Sequence, residues 1–158
     1  MAEIRMGQRE GNGHGKEIRV AADQYMARRG GHFVYLDSGA VTMVASNTEK
    51  VYGWAESPKD AAGYSSWKSS SVANSDDIFV IDELDGVFEM PYDASATTLS
   101  LDHIGETMTI AESGVTYSQV QEARYDSALA ASLLVCVDVD LTNQTVLVKM
   151  KPSKKQTA

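Results

Sequence analysis

From residue 18 onward the apolar residues come in short runs, broken by turn signals about every eight to twelve residues. Ile18, Val20 and Ala22 alternate with Arg19 and Ala21. Gly30-Gly31 interrupts, and His32-Phe33-Val34-Tyr35-Leu36 follows. Asp37-Ser38-Gly39 and Ser46-Asn47-Thr48 flank Val41, Met43 and Val44, and Lys50–Ala55 comes next. Runs this short and this often interrupted do not support long helices. They predict an all-β fold, a compact β-barrel or β-sandwich of short antiparallel strands, with at most one short helix.

The same pattern extends toward the C-terminus. Asp77-Ile78-Phe79-Val80-Ile81 and Val87-Phe88-Glu89-Met90 flank Leu84-Asp85-Gly86 and read as a closely spaced strand pair. Pro91 cannot donate to a ladder and ends the second run or places it on an edge. Glu106–Ile110 alternates, and Gly114 precedes Val115-Thr116-Tyr117. Leu133–Asp140 and Thr145–Met150 flank Asn143-Gln144 as a terminal hairpin, with Val135, Val137 and Val139 expected on one face. Between them, 117–134 is open to two readings. Gln119, Gln121, Glu122, Ala123, Leu129, Ala130, Ala131 and Leu133 suit a helix by propensity, and a strand followed by a loop is equally compatible.

Three segments fall outside this rhythm. Residues 1–17 read as an extended N-terminal arm, because Gly11, Gly13 and Gly15 carry a high entropic cost inside a helix or strand. Residues 57–75 hold seven serines among 19 residues and read as a long loop carrying Tyr64 and Trp67. Trp67 either folds back onto the β domain or anchors a protein interface, where tryptophan is enriched. Residues 151–158 read as a basic, solubilising tail. The β domain proper is then 18–150.

Charge narrows the partners. The 158-residue chain has 14 Lys and Arg against 22 Asp and Glu, a net of 14 − 22 = −8. From 69 to 123 there is no Lys or Arg but eleven acids, from Asp76 to Glu122. Such a surface argues against nucleic acid as a partner, since that contact depends on cations that displace counterions. It reads either as a solvated acidic face or as charge complementarity between neighbouring copies. No apolar run approaches the roughly 18–20 residues of a membrane span. The opening MAEIRMGQREGNGHG lacks the apolar stretch of a secretory signal. One cysteine, Cys136, leaves no internal disulfide.

Reactive groups do not converge in the sequence. His14 lies among glycines, His32 borders a strand and His103 sits in an acidic loop, so scattered surface or strand-end histidines are expected. None has the helical metal-site spacing. The glycines at 11, 13 and 15 complete no phosphate-binding motif. Asp138 and Asp140 share a strand face and suit either a divalent cation or solvent. Cys136 is expected at an edge or surface, with no base beside it. The expectation is therefore a non-enzyme with no catalytic residue, no metal and no cofactor.

The run Ile78–Ile81 followed by Asp85-Gly86-Val87-Phe88-Glu89-Met90-Pro91 resembles the G-V-F-x-[LM]-P segment of small phage capsid decoration, or cement, proteins. Val51-Tyr52-Gly53-Trp54-Ala55 resembles the V-x-G-x-A strand that precedes it there. Leu101–Ile110, with Gly105 ahead of its strand, and Thr145–Met150 continue the resemblance over roughly 18–150. The serine-rich loop and the arm are longer than such proteins need. The resemblance implies a homotrimer on the outer surface of an icosahedral virion, made in the host cytoplasm and bound to the major capsid protein. It implies no membrane and no direct nucleic-acid contact. Ile4, Arg5, Met6 and Arg9 of the arm, with Tyr64 and Trp67 of the loop, are the expected contact residues. The competing expectation is a non-enzymatic ligand- or carbohydrate-binding β-barrel, with Trp54, Tyr64 and Trp67 as stacking groups.

Overall fold

A computed structural model describes residues 7–10, 15–27, 31–45, 50–56, 66–113, 120–125 and 132–156. The fold is all-β, as the short runs predict. In chain order the strands are β1 (Gly7–Glu10), β2 (Gly15–Arg19), β3 (Tyr25–Ala27), β4 (Gly31–Asp37), β5 (Ala40–Met43), β6 (Gly53–Glu56) and β7 (Ser66–Lys68). They continue with β8 (Asp77–Ile81), β9 (Val87–Pro91), β10 (Thr107–Ser113), β11 (Val120–Arg124), β12 (Leu134–Asp140) and β13 (Thr145–Met150). Two short 3-10 turns, Leu101–His103 and Pro152–Lys154, are the helical elements among the described residues.

Two sheets carry the fold. One has the order β2-β8-β6-β4-β5, the other β1-β9-β13-β12-β10-β11. The first curls until its ends meet at a parallel bridge, Val20 with Val41; in the second a parallel bridge, Tyr92 with Ala123, joins the end of β9 to β11 and leaves β1 outside the ring. The pair β3-β7 forms a separate small sheet.

The middle strands of the five-stranded sheet, β4 and β6, are buried on both faces for most of their length, which explains their continuous apolar runs, whereas Phe79 on β8 is exposed. Val34, Ala55 and Val80 point into one cluster with Val20, Met26, Val41 and Ile78. Their neighbours Phe33, Trp54 and Ile81 point the other way, into a larger core shared with the six-stranded sheet. Phe33, Trp54 and Phe88 meet there with ring centroids 4.8–5.2 Å apart, in edge-on and tilted geometries that aromatic quadrupoles favour. Gly53 has to be glycine at this junction, since a Cβ would sit 2.5 Å from the Val80 side chain and 2.6 Å from the Ile81 carbonyl oxygen.

Several expectations are corrected. Segment 1–17 is not all arm: Gly7–Glu10 is an edge strand on β9, and Gly15 opens β2 opposite Ile81. Gly15 fits because a Cβ there would lie 2.2 Å from the Val80 carbonyl oxygen. The serine-rich stretch contains strand β7, paired with β3 through Met26 and Trp67. Residues 120–124 are strand, paired with β10, which resolves the open reading for that part. The helix candidates at 129–131, the turn at 46–48 and His14 lie outside the described residues.

The terminal hairpin forms where expected, but its core face differs. Cys136 pairs with Val148 and Asp138 with Leu147, so Val137 is an extra, bulged residue. The bulge resets the alternation, and Leu134, Cys136 and Val139 meet the core instead of Val135, Val137 and Val139. Val137 is 38% exposed and Cys136 1%. The expectation of a surface cysteine is thereby overturned.

The basic tail also docks for part of its length. Gln156 donates its backbone N–H to Val51, and Val51 donates to Lys154. Lys155 pairs with Asp85, and Lys151 Nζ donates to Ser132 Oγ at 2.8 Å.

Candidate functional site: a polar cleft between the sheets

A cleft of about 270 Å³ opens where the two sheets and the small β3-β7 sheet meet. It is lined by Asp23, Gln24, Tyr25, His32, Met43, Glu112 and Gln121. Asp23 adopts a left-handed φ of 55° in the turn before β3. His32 sits on β4 beside the close glycine contact at Gly31, and is buried at 4% exposure. The expectation of a surface or strand-end histidine is thus corrected to a buried cleft wall. Glu112 and Gln121 are cross-strand partners on β10 and β11.

Two glutamines build the cleft floor by standing in for missing strand. Gln121 Oε1 accepts the Phe33 N–H at 2.7 Å, while Nε2 donates to the Phe33 and Val44 carbonyls at 2.9 and 2.8 Å. Gln24 Oε1 accepts the Met43 N–H at 2.9 Å, and its Nε2 donates to the Ala22 carbonyl at 3.0 Å. Buried backbone groups need partners, and these amides supply them where no strand continues. On the other side, Lys68 Nζ reaches Asp23 at 2.8 Å and lies 5.3 Å from the Tyr25 ring centre. That hydrogen bond to Asp23 raises the Lys68 ammonium above its ordinary range. Glu112 stands at the solvent-facing rim, and partial burial raises its carboxyl above the usual carboxylate value.

The other histidine, His103, is a second correction. It is 5% exposed and lies between the Tyr92 and Tyr125 rings, with centroids 5.8 and 4.5 Å away. Its Nδ1 accepts the Ser100 N–H at 3.3 Å, closing the 3-10 turn. It is a core residue of a loop.

The paired aspartates are committed to local structure. Asp140 accepts the N–H groups of Thr142 and Asn143 and the Asn143 Nδ2, bonds that lower its carboxyl pKa and hold the 141–144 turn. Asp138 accepts the Val139 N–H. Across the bulge at Val137 the Cys136 thiol donates to the Asp138 backbone carbonyl at 3.5 Å. Burial pushes the Cys136 thiol up to about 11, which suppresses nucleophilic thiolate. Among the described residues no three His, Cys, Asp or Glu side chains converge as a metal set.

The expected contact residues are scattered. Arg9 falls at a bulge in β1, on the edge of the six-stranded sheet. Trp67 lies in β7 opposite Met26 and packs, partly buried, against the five-stranded sheet's cluster. The two positions belong to different sheets. Ile4, Arg5, Met6 and Tyr64 lie outside the described residues. Trp54, a stacking candidate in the ligand-binding reading, is 2% exposed and enclosed by Phe33 and Phe88. The cleft itself was missed in the sequence. Its residues are spread from 23 to 121 and share no spacing; only the pairing of β10 with β11 brings Glu112 and Gln121 together.

No family model, no curated protein and no solved structure matches this chain.

Proposed function

We propose that the protein is a structural component of a phage virion, a decoration protein that binds the outer surface of an icosahedral head as a homotrimer and strengthens capsomer junctions. One observation carries the reading. The segments that resemble decoration proteins, Val51–Ala55, Ile78–Ile81 and Val87–Pro91, converge on one core, where Trp54, Ile81 and Phe88 pack together. Residues shared for that reason specify a scaffold, and a scaffold protein acts through its surface.

The surface supports the same reading. Phe79, Leu101, Ile104, Val137 and Leu141 are exposed apolar side chains among the described residues. Three copies acting together multiply weak individual contacts, so a modest interface per chain suffices. The major capsid protein is the proposed partner. Ile4, Arg5, Met6, Arg9, Tyr64 and Trp67 remain the proposed contact residues.

The test is mechanical. Heads lacking the protein are heated with and without it, and release of packaged DNA is followed. Bound protein is expected to raise the release temperature by several degrees. An unchanged release profile at saturating protein counts against the proposal. Removing residues 2–6, which leaves β1 intact, is expected to abolish the protection without unfolding the domain.

A further inference from the structure

We propose that residues 1–6 of this chain dock in a groove on the outer face of the six-stranded sheet, held there by Ile4, Arg5 and Met6. The groove has a volume of about 510 Å³ and crosses β9, β13 and β12. Leu147 of β13 lies along its middle, paired with Glu89 on one side and Asp138 on the other. Val139 and Leu141 line it on the β12 side. Phe88, Met90, Val146 and Val148 point from the same strands into the core, so the groove faces outward. Leu141 is 45% exposed and Leu147 half-buried, which leaves an apolar strip for a partner to cover. Glu89, Asp138 and Asp140 rim that strip, and no Lys or Arg among the described residues lines it.

The chain itself delivers an occupant. Strand β1 begins at Gly7, opposite Glu89, so residues 1–6 leave the ladder at one wall of the groove. They cannot simply lengthen β1. The edge of β9 that β1 uses is taken two residues farther on by β11, through the Tyr92–Ala123 bridge and the Asp93 N–H to the Ala123 carbonyl. The core fills the inner side, which leaves the outer face. From β9 to β12 is two strand spacings, about 10 Å, and three extended residues cover about that distance. The three nearest Gly7 are Ile4, Arg5 and Met6. Two apolar side chains suit the Leu147–Leu141 strip, and the long stem of Arg5 lets its guanidinium reach the rim carboxylates. A second copy presenting the same face would instead set three carboxylates against three.

The inference does not rest on the head-binding proposal; where both hold, a head has to draw Ile4, Arg5 and Met6 out of the groove. Its test uses the isolated full chain, with no heads present. In methyl-labelled protein, nuclear Overhauser cross-peaks are expected between the Ile4 methyl and the methyls of Leu141 and Leu147. A sample mixed from separately labelled chains separates a chain's own segment from a neighbour's, and the cross-peaks are expected only within one chain. Trypsin cleavage after Arg5 gives a second readout, since docking withholds the segment. Leu141→Ser, at an exposed turn position, is expected to speed that cleavage at least about threefold, the scale of losing part of one buried leucine. Absence of the Ile4 cross-peaks overturns the proposal and needs no variant. So do cross-peaks that arise only between chains, which make a second copy's segment the occupant, or an unchanged cleavage rate in Leu141→Ser.

Discussion

The side chain of Gln121 holds the backbone of Phe33 by both its groups, accepting the N–H at 2.7 Å and donating to the carbonyl at 2.9 Å. The two residues are 88 positions apart and belong to different sheets. The amide serves as one residue of strand beside β4 and ties the sheets together. Gln156 repeats the device at Leu36, with bonds of 2.8 and 2.9 Å.

Replacing Gln121 by Ala takes the partner from two buried backbone groups, the Phe33 N–H and the Val44 carbonyl, while the Phe33 carbonyl keeps the Val44 N–H at 3.0 Å. A loss of about 2–4 kcal/mol in unfolding free energy is expected, at about 1–3 kcal/mol per stranded group with partial relaxation. Gln121→Glu keeps the shape but cannot donate when ionised, so it should cost a similar amount at neutral pH. Urea unfolding measures both. A loss below about 0.5 kcal/mol, the range of ordinary surface substitutions, contradicts the role.

Gln156→Ala is expected to cost about 1–2 kcal/mol, because its partners at Leu36 are less deeply enclosed. Amide exchange supplies a local readout. The Leu36 N–H should exchange much faster in the variant while the β12-β13 amides keep their protection. Unchanged exchange at Leu36 would mean that the C-terminal residues do not dock in solution.

These glutamines also show where the sequence stops being informative. Period-two runs and turn residues locate β4, β8, β9, β12 and β13, because burial of alternate side chains writes itself into hydrophobicity. An amide that completes a distant strand leaves no such mark, and Gln121 read equally well as a helix former. His103 looked exposed because its neighbours are acidic, yet Tyr92 and Tyr125 enclose it from outside the local sequence. The core face of β12 was misread for a similar reason. Val135, Val137 and Val139 alternate in sequence, but the bulged Val137 breaks the register, so that Leu134 and Cys136 before it share the core face with Val139 after it. Of the contact residues expected from the arm and loop, the structure locates only Arg9 and Trp67, on separate sheets.

The bulge gives a paired prediction. Deleting Val137 removes the extra residue and leaves Cys136 and Val139 in register with Val148 and Val146, so the fold should survive with a small change in Tm. Cys136→Asp places a charge at a 1% exposed site and should abolish folding. Wild-type Cys136, with its thiol at about 11, should react with a disulfide reagent at pH 8 only after denaturant is added. Immediate labelling of the native protein contradicts the assigned core face.

Acid stability follows from two opposed groups of carboxylates. Burial acts to raise Asp93, but hydrogen bonds from Ser95 and Arg124 outweigh it and hold the carboxyl below its ordinary value. A lowered native pKa means stability that is present above the unfolded value and lost as pH falls through the native one. Glu112 and Glu122 are raised, chiefly by burial, and act in the reverse sense: their contribution is largest at low pH and is lost as pH rises through their native values. Asp93→Asn should therefore flatten the acid limb of the stability profile and cost about 1–3 kcal/mol at pH 7, the scale of a charge-assisted contact. Glu112→Gln should raise stability at pH 7 slightly and change little at pH 3. Urea midpoints between pH 3 and 7 check both signs.

The most direct measurement of the functional account is sedimentation of the purified protein with expanded phage heads that lack it, counting bound copies per head. The account predicts saturable pelleting, with copies bound in multiples of three at each site. A protein that stays monomeric at every concentration and never pellets above the head-free control contradicts it.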